Sequence, residues 1–199
     1  MNLSREQQEI VEAPDGHYLV VASAGSGKTR VLTERVRHLL EVRQIRSRVL
    51  MLTFTNKAAD EMRQRLGTVP DLADRAFIGT IHSFCQSILE AHGRAVGCEA
   101  MPAILAGEAD RLAMLEQAFD QSPALRRHLL QQEGPKERRQ FLYGVLEKIS
   151  SWKRDWEQFQ KRSSGEWPSE LEIQAFREYQ DHLASQGVID FDDILLLAL

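Results

Sequence analysis

Residues 18–42 constrain the fold of this chain more than any other stretch. Tyr18-Leu19-Val20-Val21-Ala22 is uncharged and mostly aliphatic, the composition of a strand buried on both faces. It leads directly into Ala22-Ser23-Ala24-Gly25-Ser26-Gly27-Lys28-Thr29. From Thr29 to residue 42, Val31, Leu32, Val36, Leu39 and Leu40 then recur at helical spacing. Strand, small-residue loop, Lys-Thr and helix in that order make a phosphate loop, with Ala22 in place of the usual first glycine. Small residues let the backbone curl until successive N–H groups face one anion, and the helix start adds its positive dipole end. The alternative is a glycine-rich turn without a ligand, and the strand–loop–helix setting argues against it. Lys28 is placed for the β- and γ-phosphates of a nucleotide and Thr29 for Mg²⁺, which makes both candidate catalytic residues and Thr29 the candidate metal ligand.

The rest of the first ninety residues fits a βαβ arrangement around a parallel sheet. Two further apolar runs, residues 49–54 and 76–80, read as strands, and helical patterns follow at 57–66 and 81–92. Residues 3–11 form an additional amphipathic helix, with Ser4 as N-cap and Gln7 three residues on, a capping box. From Met101 onward the β-rich runs stop. Helices are expected near 107–120, 123–132, 136–151, 153–162 and 168–186, so this half reads as all-α. The chain stops on the apolar run Ile194-Leu195-Leu196-Leu197-Ala198-Leu199, which suggests a boundary inside a longer polypeptide.

Composition excludes other classes. With 43% hydrophobic and 27% charged residues, 12 Gly and 6 Pro among 199, the chain is neither disordered nor fibrous. It has no apolar run long enough to span a bilayer and no signal-peptide core, so a cytoplasmic protein without a membrane partner is expected. Cys85 and Cys98 cannot make a disulfide scaffold and are read as buried thiols. The net charge of -4 argues at first against nucleic acid. Its distribution removes that objection: residues 1–98 hold 13 basic and 11 acidic side chains, residues 99–199 hold 12 and 18.

Several ordered blocks carry a specific resemblance. Leu3-Ser4-Arg5-Glu6-Gln7-Gln8-Glu9, the phosphate loop, Leu52-Thr53-Phe54-Thr55-Asn56-Lys57-Ala58-Ala59 and Ile78-Gly79-Thr80-Ile81-His82-Ser83-Phe84 together resemble the Q motif and motifs I, Ia and Ib of superfamily 1 DNA helicases of the UvrD/Rep/PcrA kind. Ala-Ser-Ala-Gly and Ile-His-Ser-Phe-Cys are also similar to the AddA/RecB branch. The resemblance implies an α/β fold, a partial P-loop RecA-like parallel sheet with an all-α inserted subdomain. Its parts would be 1–92 (RecA-like), 93–186 (helical insert) and 187–199 (return to the RecA-like domain).

It further implies an ATP- and Mg²⁺-dependent helicase or translocase, moving 3′ to 5′, in DNA repair or recombination. Gln7 would read the adenine edge, which suits an amide that donates and accepts at once. Ala22, Ser23, Ala24, Gly25, Ser26, Gly27, Lys28 and Thr29 would cradle the phosphates, with Arg30 near the base. Phe54 would stack a base of single-stranded DNA while Thr55, Asn56, Thr80 and His82 hold phosphates and sugars. Taken alone, Phe54 reads as core and His82 as a residue opening a helix. A duplex junction and a second RecA-like domain are the remaining partners implied.

Asp60, Glu61, Asp190, Asp192 and Asp193 read as non-catalytic: the first two sit within a helix, and the other three precede an apolar run instead of following a strand. The acidic pair of the ATPase centre is expected beyond Leu199, leaving half an ATP site in this chain. Charge clusters Lys136/Arg138/Arg139 and Lys153/Arg154 read as solvated helix faces, with duplex DNA as the alternative. Two rival functions stay open: a non-catalytic ATP- and DNA-binding module, and a P-loop phosphotransferase in which motifs Ia and Ib have no role.

Overall fold

A computed structural model describes residues 3–97, 101–154 and 169–199. The chain divides into two compact units, Met1–Phe84 and Cys85–Leu199. No helix among the described residues is long and apolar enough to cross a membrane.

In the first unit, α1 (Arg5–Glu12) opens with the expected capping box. α2 (Lys28–Arg37) runs into a π-helical turn, His38–Val42, so the single helix expected over 29–42 changes its winding after Arg37. Then come β1 (Val49–Thr53), α3 (Asn56–Leu66), the single turn α4 (Leu72–Arg75) and β2 (Ala76–Thr80). β1 and β2 pair in parallel, Val49 beside Ala76 and Thr53 beside Thr80. Their shared core gathers Val36, Leu40, Met51, Ala59, Met62, Leu66 and Ile78. The helices cover one face: Met51 is buried, whereas Leu50 and Leu52 are 48% and 40% exposed, so β1 is not the doubly buried strand its composition suggests.

The strand expected at 18–22 does not form a ladder. A strand needs a hydrogen-bonded neighbour, and among the described residues β1 pairs only with β2. Leu19 and Val21 are consequently 90% and 86% exposed.

α5 (Ile81–His92) starts in the first unit, and its residues from Cys85 on open the second. A 3₁₀ turn follows at Gly93–Val96, then β3 (Ala103–Leu105), α6 (Glu108–Gln121), α7 (Pro123–Leu130), α8 (Pro135–Arg154), α9 (Glu170–Ser185), β4 (Val188–Asp190) and α10 (Phe191–Ala198). The helix expected at 153–162 falls largely outside the described residues; its first two positions close α8. The half is not all-α, because β3 and β4 pair in parallel, Ala103 with Val188 and Leu105 with Asp190. Three-residue runs so far apart in sequence carry no periodic signal. Leu115, Phe119, Leu125, Leu142, Ile149, Tyr179 and Leu183 form the helical core.

A buried charge cluster ties β4 and α10 to this bundle. Lys153 Nζ lies 2.8 Å from both Asp190 Oδ2 and Asp193 Oδ1, with the lysine and Asp190 side chains fully buried. Tyr179 donates its hydroxyl to Asp190 at 3.1 Å, and Arg111 pairs with Asp192 at 3.1 Å. Asp190 and Asp193 also cap each other's backbone N–H. Burial raises the Asp190 carboxyl, but the Lys153 and Arg111 charges outweigh it and hold the group below its ordinary value. Burial and the neighbouring Asp190 charge push Asp193 up. Lys153 is therefore neither a solvated face residue nor a free DNA contact, while Arg154 is exposed. Asp190 ends β4 and Asp192 and Asp193 directly follow it, which corrects the expectation that these three do not follow a strand.

Candidate functional site

The candidate phosphate loop makes its turn without strand pairing before it. Gly25 and Gly27 take φ values of +78° and +85°, a region that favours glycine, and Gly27 is the N-cap residue of α2. As a glycine, Gly27 gives the first N–H groups of α2 no side-chain cap. The Ser26 hydroxyl is buried without a hydrogen-bond partner among the described residues, a position that fits a ligand oxygen. A Cβ added at Gly25 would meet nothing within 4 Å, which leaves the loop open to an incoming group. Lys28 Nζ donates to the carbonyls of Ala22 and Ser23 at 2.8 and 2.6 Å. An open cleft of about 630 Å³ is lined by Gly25, Gly27, Lys28, Thr29 and Arg30 and, beyond the expected set, by Thr33, Glu34 and Arg65.

Gln7 meets this loop directly. Its Nε2 donates to the Ser26 carbonyl at 3.1 Å, and a Cβ on Gly27 would come within 3.3 Å of the same nitrogen. Its Oε1 accepts from the Ser4 N–H at 2.9 Å, completing the capping box. Each amide atom retains one further bonding position, a hydrogen on nitrogen and a lone pair on oxygen.

The second group of candidates leaves the carboxyl ends of β1 and β2. Because Thr53 pairs with Thr80, the segments starting at Phe54 and Ile81 emerge side by side. Phe54 is fully exposed, so it is not a core residue. Thr55 is the N-cap of α3 and accepts from the Ala58 N–H, and exposed Asn56 opens that helix. Thr80 and Ser83 exchange hydrogen bonds: the Thr80 N–H donates to Ser83 Oγ at 2.9 Å, and the Ser83 N–H to Thr80 Oγ1 at 3.2 Å. His82 sits half-buried in the first turn of α5. A Cβ on Gly79 would lie 2.5 Å from Ser83 Oγ, so glycine there permits this closed turn.

Ser83 and Arg65 were not among the sequence candidates. The Thr80-x-x-Ser83 spacing was a usable capping signal for the first. Arg65, which pairs with Glu61, reaches the loop only through the packing of α3 beside α2. Among the described residues no group of acidic, His and Cys side chains could hold a metal ion by itself. Asp60 and Glu61 pair with Arg63 and Arg65.

Comparison with known proteins adds independent information. The family model for the UvrD/REP helicase N-terminal domain matches residues 3–199. The DNA helicase II of Haemophilus influenzae is 35% identical over 98% of this chain and 26% of its own length. ATP-dependent DNA helicases PcrA of Staphylococcus epidermidis and Leuconostoc citreum are 30% and 31% identical, over 100% and 99% of the chain. The chain thus spans about a quarter of these relatives' length, 26% and 25% for the two PcrA proteins.

Proposed function

The chain belongs to the UvrD/REP helicase N-terminal domain family, and on that premise we propose that it is the ATP- and single-strand-binding part of an ATP-dependent DNA helicase or translocase. The reading includes a partial RecA-like domain over 1–92, a helical insert over 93–186 and a return at 187–199. Movement 3′ to 5′, a role in repair or recombination, and action at a duplex junction belong to the same proposal for the whole protein, together with a second RecA-like domain.

The observation that carries it is the union of the phosphate loop with Gln7. Gly25, Gly27 and Lys28 line one cleft at the start of α2, the buried Ser26 hydroxyl lies between the two left-handed glycines in the chain without a partner among the described residues, and the Gln7 amide is bonded to the Ser26 carbonyl of the loop itself. Lys28 would neutralise phosphate charge, and Thr29 is the hydroxyl that would meet Mg²⁺. When bound, the ion would screen the phosphates and orient them. Phe54 and the hydroxyl, amide and imidazole groups of Thr55, Asn56, Thr80 and His82 give a sequence-tolerant single-strand track. Thr55 and Thr80 spend part of their bonding capacity on helix starts, which leaves Phe54 and Asn56 as the most accessible members.

The test is binding by this chain. Lys28→Ala removes a charge-assisted contact and should weaken Mg²⁺–ATP binding by about tenfold or more, with oligonucleotide binding unchanged. Undiminished ATP affinity, measured by calorimetry, refutes the assignment.

A further inference from the structure

We propose that Arg35 is a positioning residue for base selection: it clamps the end of α1 so that the Gln7 amide is held in the orientation that accepts adenine and rejects guanine. This rests on Gln7 as the base reader.

An eight-residue helix such as α1 is marginal without tertiary support. Its last turn has no basic residue of its own, and its final carbonyls lack helical partners. Arg35, projecting from α2, supplies both. Its Nη1 donates to the carbonyls of Ile10, Val11 and Ala13 at 3.0, 3.2 and 2.9 Å, and its Nη2 to that of Pro14 at 3.3 Å. The guanidinium also lies 5.7 Å from the Tyr18 ring centre. One side chain on the phosphate-loop helix therefore fixes the whole C-terminal end of α1.

The opposite end of α1 holds Gln7, where the Ser4 N–H requires an oxygen and the Ser26 carbonyl requires a nitrogen. Flipping the amide would place like atoms together at both contacts. The remaining N–H and lone pair then match the N7 acceptor and N6 donor of adenine. Guanine offers acceptors at both places and would set its O6 against Oε1. The selectivity depends on α1 staying registered against the loop, because the amide is oriented by a 3.1 Å bond to the Ser26 carbonyl that a shift of the helix would break. Phosphate binding has no such dependence, since the loop and α2 are continuous in the chain.

The experiment is competition of ATP, GTP and inorganic tripolyphosphate, each with Mg²⁺, against a ribose-labelled fluorescent ATP on this chain. Unmodified protein should prefer ATP to GTP by about tenfold or more. Gln7→Ala and Arg35→Met should each bring that ratio to within about twofold of one, and Arg35→Met should leave tripolyphosphate affinity within about twofold. Arg35→Lys, which keeps the charge but cannot span four carbonyls, should fall between. A ratio near one in the unmodified chain, or one unaffected by Gln7→Ala, refutes the base-reading role and Arg35's with it. A ratio lost in Gln7→Ala but kept in Arg35→Met overturns the Arg35 proposal alone. Equal loss of ATP and tripolyphosphate in both Arg35 variants, with helicity lost by circular dichroism, also overturns it, because Arg35 would then only support the fold.

Discussion

Replacing Lys153 by Met probes the buried charge cluster of the second unit. The ammonium sits 2.8 Å from two carboxylates and is fully buried. Met conserves most of the volume, so the cost is electrostatic: Asp190 and Asp193 are left close together with Arg111 as the cation nearby, 3.5 Å from Asp190. Removing one partner of a buried pair costs about 3–5 kcal/mol. Both carboxyls would then titrate above their unfolded values, and a raised carboxyl contributes stability that is present below its unfolded pKa and lost as pH rises through the folded one. The penalty should therefore be larger at pH 8 than at pH 5.

In the unmodified protein the Asp190 contribution runs the other way. It is present above the ordinary carboxylate range and lost as pH falls through its lowered value. Trp152 lies in the second unit and the sequence of the first has no tryptophan, so tryptophan fluorescence during urea unfolding carries no signal from the first unit. With a urea dependence of about 2 kcal/mol per molar, a loss of about 4 kcal/mol moves the midpoint by about 2 M. A shift below about 0.5 M, or one equal at pH 5 and pH 8, would refute the claim that Lys153 is the main counter-charge.

Phe54→Ala should weaken binding of a single-stranded oligonucleotide by about 1–3 kcal/mol and leave the unfolding midpoint unchanged, since the ring is fully exposed; fluorescence anisotropy and a urea titration read both. Burial pushes the Cys85 thiol up. In a Cys98→Ser background its reaction with a disulfide reagent should gain rate at higher pH than that of a free thiol, and a midpoint at or below the free-thiol value would contradict the burial.

Local signals were readable wherever short-range chemistry decides the outcome. The Ser4–Gln7 capping box, the start of α2 at the phosphate loop and the β2 limits at Ala76 and Thr80 all follow from composition and spacing within a few residues. Long-range pairing was not readable in the same way. Tyr18 to Ala22 has strand composition, yet composition cannot supply the neighbour that a ladder requires. β3 and β4 find each other across more than eighty residues through three-residue runs. Lys153 looked like one of a surface pair because a helical pattern does not say which lysine meets two aspartates brought in by a distant strand. In the candidate site, the resemblance placed Phe54 on the surface where its isolated chemistry suggested core. Arg35 left no mark in the sequence, as its partners are main-chain carbonyls that any residue carries.

The unladdered run before the phosphate loop also bears on the molecule's behaviour at high concentration. Tyr18-Leu19-Val20-Val21-Ala22 has no charge, no proline and high β-propensity, with two of its aliphatic side chains almost entirely in water. Segments of that description associate edge to edge with copies of themselves. The candidate phosphate loop is thus joined directly to a run of exposed aliphatic side chains. A ligand held by the loop would restrain this adjoining run as well, so Mg²⁺–ATP should raise the solubility of this chain.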